Sequence, residues 1–388
     1  MRPAEFLAER NVEDDRQHAV CNAYEEPAMF VKKCWYVVAW SSELSTTGLI
    51  ARTIINEPLV IFRSSSGEVV ALEDRCCHRQ APLSLGRREG DDIRCMYHGL
   101  KFDRSGRCIE IPGQETIPSK ARVRRYAAIE KHSWIWVWMG HEESADESLI
   151  PPAVGLDDPA WALLSGNIDY NANHLLIHDN LCDFSHIAYV HEKTFGGGDD
   201  RLAKTRPKLS TLERGIRVER WSLDAPARNY AGVGVGQDRW MRYDYLVPGV
   251  LLMRSENHPP GTAARCEFGE PNSEPIHANF TSQAVTAITE DTSRYFYSWG
   301  PRACEAAADP QIPGLMFALA NQAFEEDRRI IEAQQRNRNL RPEPDPLIIG
   351  HDRGPSLMRS VFERMLRLEQ GVDPARAWPR AREMTEDA

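Results

Sequence analysis

The chain has 388 residues, with 47 basic and 57 acidic side chains, a net charge of −10 and 42% hydrophobic residues. That length accommodates two domains of ordinary size, and the apolar fraction excludes a disordered chain. The acidic balance argues against nucleic-acid binding, which needs clustered cations, and no run approaches the ~20 apolar residues of a membrane span.

The N-terminal sequence MRPAEFLAERNVEDDRQ mixes both charge signs without an apolar stretch, so it does not read as a secretory leader. Residues 1–30 read as a polar, partly helical lead-in, and the chain is expected in the cytoplasm. From Trp35 the text turns β-like: WYVVAW, 50–55, 59–62, Val69–Glu73 and the tryptophan-rich Trp134–Trp138 are short β-branched or aromatic runs. Several are separated by turns such as Ser64-Ser65-Ser66-Gly67. An acidic, proline-containing stretch at 142–160 divides this first unit, 31–141, from a second, 161–388. In the second unit, 171–191 reads as a helix closed by Gly196-Gly197-Gly198, and 207–300 reads as strands. Helices are expected at 313–337 and 355–370. Many strands before a few long helices indicate an α+β fold.

Two groups of residues carry chemistry. The first is Cys76-x-His78, sixteen residues, then Cys95-x-x-His98. Two facing loops with one Cys and one His each present two thiolates and two imidazoles, the set that binds a mixed-ligand [2Fe–2S] cluster. A Cys₂His₂ zinc site uses the same ligand types. The Cys-His, Cys-His order and the accompanying Arg79, Tyr97 and Gly99 favour iron–sulfur. Cys77 falls between two ligands as a bystander open to oxidation. The six other cysteines (Cys21, Cys34, Cys108, Cys182, Cys266 and Cys304) read as small buried hydrophobes.

The second group is Asn180, Asp183, His186 and His191. Asp183 and His186, three apart, share a face if the segment is helical. His191 lies about 140° round from His186 and converges with it only if the helix distorts or ends. Two imidazoles and a carboxylate form a facial triad with positions left open for O₂. On the long helix Asp327 falls on the apolar stripe of Ala320, Ala323, Phe324, Ile330 and Ile331, whereas Glu325, Glu326, Arg328 and Arg329 face mainly outward. A carboxylate on an apolar face needs a metal or a salt bridge. His174 and His178, four apart, are a competing pair on one face.

Together these motifs resemble the Rieske non-haem iron oxygenases, from about Trp35 to the tail, and most closely the O-demethylases of the dicamba and vanillate group. The resemblance implies an N-terminal β-rich Rieske domain and a helix-grip catalytic domain, an antiparallel sheet wrapped by helices. It implies cluster ligands Cys76, His78, Cys95 and His98, and ligands His186, His191 and Asp327 for a mononuclear Fe(II). Asp183 would link a cluster histidine to an iron histidine across the interface of a ring of three chains, with Asn180 near the iron. The electrons would come from NADH through a reductase and a ferredoxin. The substrate would be a small aromatic compound, oxidatively dealkylated at O or N with O₂. The segment 229–274, expected to line much of the pocket, departs from the family.

Between Arg75 and Arg107 the cations Arg75, Arg79, Arg87, Arg88, Arg94, Lys101, Arg104 and Arg107 exceed Glu89, Asp91, Asp92 and Asp103 by four. This patch is a candidate docking face for an acidic ferredoxin. Competing functions are a dioxygenase forming cis-diols and a non-catalytic Rieske carrier or zinc module. The glycines Gly232, Gly234 and Gly236 lack the last glycine of a dinucleotide motif.

Overall fold

The computed structural model describes residues 30–195, 200–225, 236–340 and 347–373. The expected lead-in, Cys21, the run Gly196-Gly197-Gly198, and Gly232 and Gly234 lie outside the described residues. No helix among the described residues is long and apolar enough to cross a membrane.

The N-terminal half is built from strands β1 (Trp35–Trp40), β2 (Leu49–Ile54), β3 (Glu57–Arg63), β4 (Val69–Glu73), β5 (Arg87–Glu89), β6 (Asp92–Arg94), β7 (Lys101–Phe102), β8 (Cys108–Glu110), β9 (Arg125–Tyr126), β10 (Ala128–Lys131) and β11 (Trp134–Trp138). They form three antiparallel sheets in the orders β1-β11-β10, β2-β3-β4-β9 and β5-β6-β7-β8. The last is a small sheet that carries the two Cys–His loops at its ends. β11 is buried on both faces. Trp134, Trp136 and Trp138 pack on one side with Trp35, Trp40, Val250, Ala284 and Phe296, while Ile135 and Val137 join the main core on the other. Burial of each such apolar side chain contributes roughly 2–3 kcal/mol.

The stretch 142–160 is ordered, with short 3₁₀ turns at Glu142–Ser144 and Glu147–Leu149. It is strapped to the second half by Ser282 Oγ, which accepts from Val154 N and donates to Val154 O (both 3.0 Å).

The second half centres on a seven-stranded antiparallel sheet ordered β12-β18-β17-β16-β15-β14-β13. Its strands are β12 (Leu164–Tyr170), β13 (Lys208–Leu212), β14 (Gly215–Ala225), β15 (Gln237–Leu246), β16 (Val250–His258), β17 (His277–Ala287) and β18 (Ser293–Pro301). β12 is not among the strands expected from the sequence. The helices are α1 (His174–Cys182), α2 (Ile187–Val190), α3 (Arg201–Lys204), α4 (Thr262–Arg265), α5 (Ala303–Ala308), α6 (Ile312–Leu340) and α7 (Arg353–Glu369). α1, α6 and α7 pack on the sheet face that carries Val285 and Tyr295. The opposite face, with Ala284 and Phe296, meets the tryptophan-rich strands, and Thr286 Oγ1 donates to Val37 O at 2.6 Å. The sheet is therefore covered on both sides, and the α+β fold expected from the sequence is the one observed.

Candidate active site

The two Cys–His loops are built to one pattern. Cys76 N donates to Ala81 O (2.9 Å) and Gln80 N to Cys76 O (2.8 Å). Cys95 N donates to Leu100 O (2.8 Å) and Gly99 N to Cys95 O (2.9 Å). The fourth residue after each cysteine has positive φ, 58° at Gln80 and 76° at Gly99. The thiols of Cys76 and Cys95 are buried and touch each other, whereas His78 and His98 are exposed with ring centroids 4.5 Å apart. Burial, reinforced by the Cys95 thiol, pushes the Cys76 thiol up to about 11. Two inward thiols, with two imidazoles at the rim, fit a mixed-ligand [2Fe–2S] cluster. Cys77 is exposed beside them.

Most of the surrounding cations are already paired. Arg75 meets Glu73 (2.7 Å), Arg87 meets Glu89 (2.8 Å) and Arg88 approaches Asp91 (3.8 Å). Arg94 meets Glu89 (2.7 Å) and Glu110 (2.8 Å), Lys101 meets Asp92 (3.0 Å) and Arg104 approaches Glu68 (3.6 Å). Glu68, Glu73 and Glu110 lie outside the window that gave the charge excess. Arg79 and Arg107 are the members of the patch without an ion pair among the described residues.

The second group sits where a helix breaks. Asn173 Oδ1 caps α1 by accepting from Leu175 N (2.8 Å). The helix stops at Asp183, which is extended (φ −133°, ψ 108°). The Asp183 carboxylate accepts from Ser185 N (2.8 Å) and Ser185 Oγ (2.7 Å) and opens a single 3₁₀ turn, Phe184–His186, before α2. A short carboxylate side chain competes for backbone donors in this way, and helices yield to it. The single helix expected over 171–191 is thus three pieces, and Asp183 and His186 do not share a helical face. Within the chain His186 is held by the Asp183 backbone carbonyl, which lies 2.5 Å from His186 Nδ1. The Asp183 carboxylate is engaged by Ser185.

The 3₁₀ turn that His186 closes and the end of α2 at Val190, which leaves His191 outside regular helix (φ −105°, ψ 31°), bring the imidazoles together, their centroids 5.4 Å apart. Asp327 Oδ1 lies 3.6 Å from His186 Nε2 and 3.3 Å from His191 Nε2. One ligand atom from each of the three residues lies within 4.8 Å of the others. Asn180 Nδ2 donates to Asp327 Oδ1 at 3.0 Å and lies 3.4 Å from His186 Nε2. Asp327 is 4% exposed and forms no salt bridge to arginine or lysine among the described residues, so the salt-bridge alternative does not hold. Burial lowers the proton affinity of His186 against the pull of Asp327. Burial also opposes charge on His191, but Asp327 and Glu326 outweigh it and raise His191. A buried carboxylate faced by two Nε2 atoms, each with its Nδ1 occupied, fits a divalent cation.

The occupant of His191 Nδ1 is Glu326 Oε2 (2.9 Å), which also accepts from Thr194 Oγ1 (2.7 Å). Glu326 therefore turns inward, contrary to the outward face assigned from the sequence. Glu325 does face outward, paired with Arg328 (2.6 Å). Ile330 leaves the apolar stripe and is 51% exposed. His174 and His178 do pair (centroids 5.1 Å), but they are buried in the core beside Phe362 and contribute nothing to this site. Cys34, Cys108 and Cys182 are buried as expected. Cys266 is half-buried and Cys304 exposed, because both lie in surface segments.

The three ligand candidates form one wall of a cavity with about 730 Å³ free of protein atoms, counting its open mouth. Phe184, Phe195, Phe324, Trp299, Met241 and Met253 supply its apolar surface. Its polar side is Ser255 on β16 with Asn279, Thr281 and Gln283 on β17. Of the segment 229–274, Met241, Met253 and Ser255 reach the cavity; β17 and β18 supply the rest of the sheet wall, which the sequence reading missed.

Two candidate metal sites in one chain, one of sulfur and imidazole and one of imidazole and carboxylate beside an apolar pocket, point to an iron–sulfur oxygenase with a mononuclear iron. Comparison with known proteins bears this out. Residues 34–124 match the Rieske [2Fe-2S] domain and residues 170–368 match the vanillate O-demethylase oxygenase C-terminal domain. The chain is 39% identical over 354 residues to the iron–sulfur subunit of the toluene-4-sulfonate monooxygenase system of Comamonas testosteroni, covering 88% of this chain and 99% of that one. It is 30% identical over 356 residues to the oxygenase component of chloroacetanilide N-alkylformylase from Rhizorhabdus wittichii, covering 88% and 97%. The crystal structure of dicamba monooxygenase bound to 3,6-dichlorosalicylic acid superposes with a TM-score of 0.79 at 27% identity, covering 88% and 99%. The chain belongs to the Rieske non-haem iron oxygenases, as an oxygenase component of the vanillate and dicamba O-demethylase group. Its cofactors are a Rieske [2Fe–2S] cluster and a mononuclear iron.

Proposed function

We propose that this chain oxygenates an alkyl carbon of a small aromatic compound, so that a methyl ether and O₂, with two electrons and two protons, give a phenol, formaldehyde and water. N-alkyl substrates would lose their carbon in the same way. The observation that carries the reading is an apolar cavity whose wall holds His186, His191 and Asp327. Cys76, Cys95, His78 and His98 would hold the cluster, and His186, His191 and Asp327 the iron. When bound, the cluster supplies electrons singly and the iron supplies O₂ activation at its open positions.

The chain's own residues do the positioning. The Asp183 carbonyl fixes His186, and Glu326 with Thr194 fixes His191, so both Nε2 atoms point inward. Asn180 holds Asp327 Oδ1. Phe184, Phe195, Phe324 and Trp299 keep water from the reacting carbon. The exposed edges of His78 and His98 suit electron exit toward a neighbouring chain. In a ring of three, Asp183 would accept from a neighbour's cluster histidine. An NADH-dependent reductase, with or without a ferredoxin, would supply electrons in the cytoplasm.

The test is a screen of methoxy-, N-alkyl- and methyl-substituted aromatics with anaerobically purified holoenzyme, a surrogate reductase and NADH. Formaldehyde is expected with wild type and none with Asp327→Ala. Diol products, or undiminished turnover in Asp327→Ala, would overturn the reading. The 39% identity to the toluene-4-sulfonate system favours a second reading, hydroxylation of an aryl methyl group to a stable alcohol. The same screen separates the two by product.

A further inference from the structure

A second cavity lies at the seam of the two halves of the chain and shares no lining residue with the cavity beside the iron ligands. Residues of β1 and β2 in the first half, and of β17 and β18 with Ile288 in the second, enclose about 450 Å³ free of protein atoms, counting its open mouth. Val37, Ile54 and Phe296 give it an apolar floor, and its polar wall is Arg52, Thr53, Thr286 and Arg294. No carboxylate among the described residues is part of that wall.

A guanidinium carries five N–H donors and no acceptor. Arg52 spends three of them: Nε on Val38 O (2.9 Å), Nη1 on Ala51 O (3.0 Å) and Nη2 on Glu43 Oε2 (2.5 Å). Arg294 spends two, Nε and Nη2, on the Asp169 carboxylate (2.6 and 2.7 Å). Two donors of Arg52 and three of Arg294 are left. Thr53 adds a hydroxyl, whereas the Thr286 proton already goes to Val37 O at 2.6 Å.

Both arginine side chains are largely buried, at 18% and 22% exposed. Burial lowers the proton affinity of Arg52; Glu43 opposes this, and Arg294 adds to it. Arg52 belongs to the first half and Arg294 to the second, so like charges meet across the seam, each paired with a carboxylate of its own half. The four charges sum to zero, so any pull on an anion is local: the guanidiniums line the cavity and their carboxylates do not.

We propose that this seam cavity binds a small oxyanion, a phosphate or a carboxylate, which accepts from Arg52, Thr53 and Arg294 together and clamps the Rieske domain to the catalytic domain. Acceptor-only oxygens match a wall of unspent donors, and the rigid guanidinium fork fits their geometry. An anion held by both halves stabilises their docked arrangement by mass action. The site stands apart from the substrate cavity and does not depend on the oxygenase reading.

The experiment is calorimetric titration of oxidised holoenzyme with inorganic phosphate and, separately, with acetate, at an ionic strength held constant with chloride, followed by melting temperatures. At least one of the two is expected to bind saturably, with a Kd of about 1 mM or below, and to raise the melting temperature. Arg294→Gln should weaken it at least about tenfold, and Arg294→Lys, which keeps the charge but loses the fork, should recover only part. Thr53→Val breaks no ion pair and should weaken it about fivefold, so the test survives if the arginine variants misfold; unchanged cluster absorbance checks each protein. Tighter phosphate assigns the site to a phosphate and tighter acetate to an organic acid, and both uphold it. Absence of saturable binding, or equal affinity in wild type, Arg294→Gln and Thr53→Val, overturns it. The titration contains neither reductant nor aromatic substrate, so its outcome is separate from that of the product screen.

Discussion

Replacing Glu326 by alanine removes the acceptor of His191 Nδ1 without touching a ligand atom. The bond is short (2.9 Å), its acceptor carries a charge, and its side chain is 21% exposed. Hydrogen bonds to charged groups contribute about 1.5–3 kcal/mol, which corresponds to roughly 10- to 100-fold in a binding constant. Two effects fall on iron affinity together. The imidazole loses the neighbour that fixes which nitrogen bears the proton, and Nε2 loses the electron density the carboxylate lends it. Iron affinity of Glu326→Ala should therefore drop within that range. Glu326→Gln should lose about tenfold, because its amide oxygen still accepts from Nδ1–H and from Thr194 but brings no charge. The assay is anaerobic competition with a chelator, with visible absorbance of the cluster as an internal standard, since the Cys–His loops lie on a separate sheet. If Glu326→Ala holds iron within twofold of wild type while its cluster is intact, the carboxylate does not support the site and the argument fails.

Burial holds His174 at about 4, against an ordinary 6.5, and holds His178 well below its ordinary value. The unfolded chain therefore binds protons that the folded chain refuses. The stability contribution is complete above pH 6.5 and is lost as pH falls toward 4, by about 3 kcal/mol for His174. The melting temperature of His174→Phe should fall less than that of wild type between pH 6.5 and 4.5, and parallel curves would refute this. Gly99 has φ 76°, and an added Cβ would sit 2.8 Å from Pro112 Cγ. Gly99→Ala should cost about 1–3 kcal/mol and lower cluster occupancy, read from acid-labile sulfide. Retention of full cluster content would show that the loop tolerates the strain. Arg87 already pairs with Glu89, and Arg88 is half-buried over Phe62 near Asp91, so reversing both to Glu should change the salt dependence of ferredoxin-driven turnover by less than about twofold. Arg79→Glu, at an exposed cation beside the cluster, should change it more. An equal response in both variants would remove Arg79 as the docking cation.

What could be read in the sequence was whatever a local pattern determines. The β-branched runs from Trp35 onward and the long helix appear within a few residues of their expected places. Asp327 was legible because a carboxylate on an apolar stripe is a local contradiction that demands a partner. β12 was overlooked although LSGNIDY alternates, with Leu164, Gly166, Ile168 and Tyr170 on one face and Ser165, Asn167 and Asp169 on the other: Gly, Asn and Asp are poor strand formers, and the ladder with β18 overrides them. Glu325, Glu326 and Asp327 are consecutive carboxylates on one helix and so project about 100° apart. Nothing local distinguishes the one that meets His191 from the one that meets Arg328. The break at Asp183 lies between these cases. Asp-x-Ser is a recognisable capping pattern, but its neighbours all favour helix: the distortion or end expected near His191 is present, with α2 ending at Val190, while the earlier break was not foreseen. Both histidines lie beyond the break, His186 closing the 3₁₀ turn and His191 just past the end of α2 at Val190, so they are not two positions of one regular α-helix. Spaced five apart, their side chains would otherwise diverge by about 140°. A regular α-helix from His186 through His191 would separate the two imidazoles that now meet Asp327, so the 3₁₀ turn opened by Asp183 and the helix end at Val190 together decide whether the site can close around a metal.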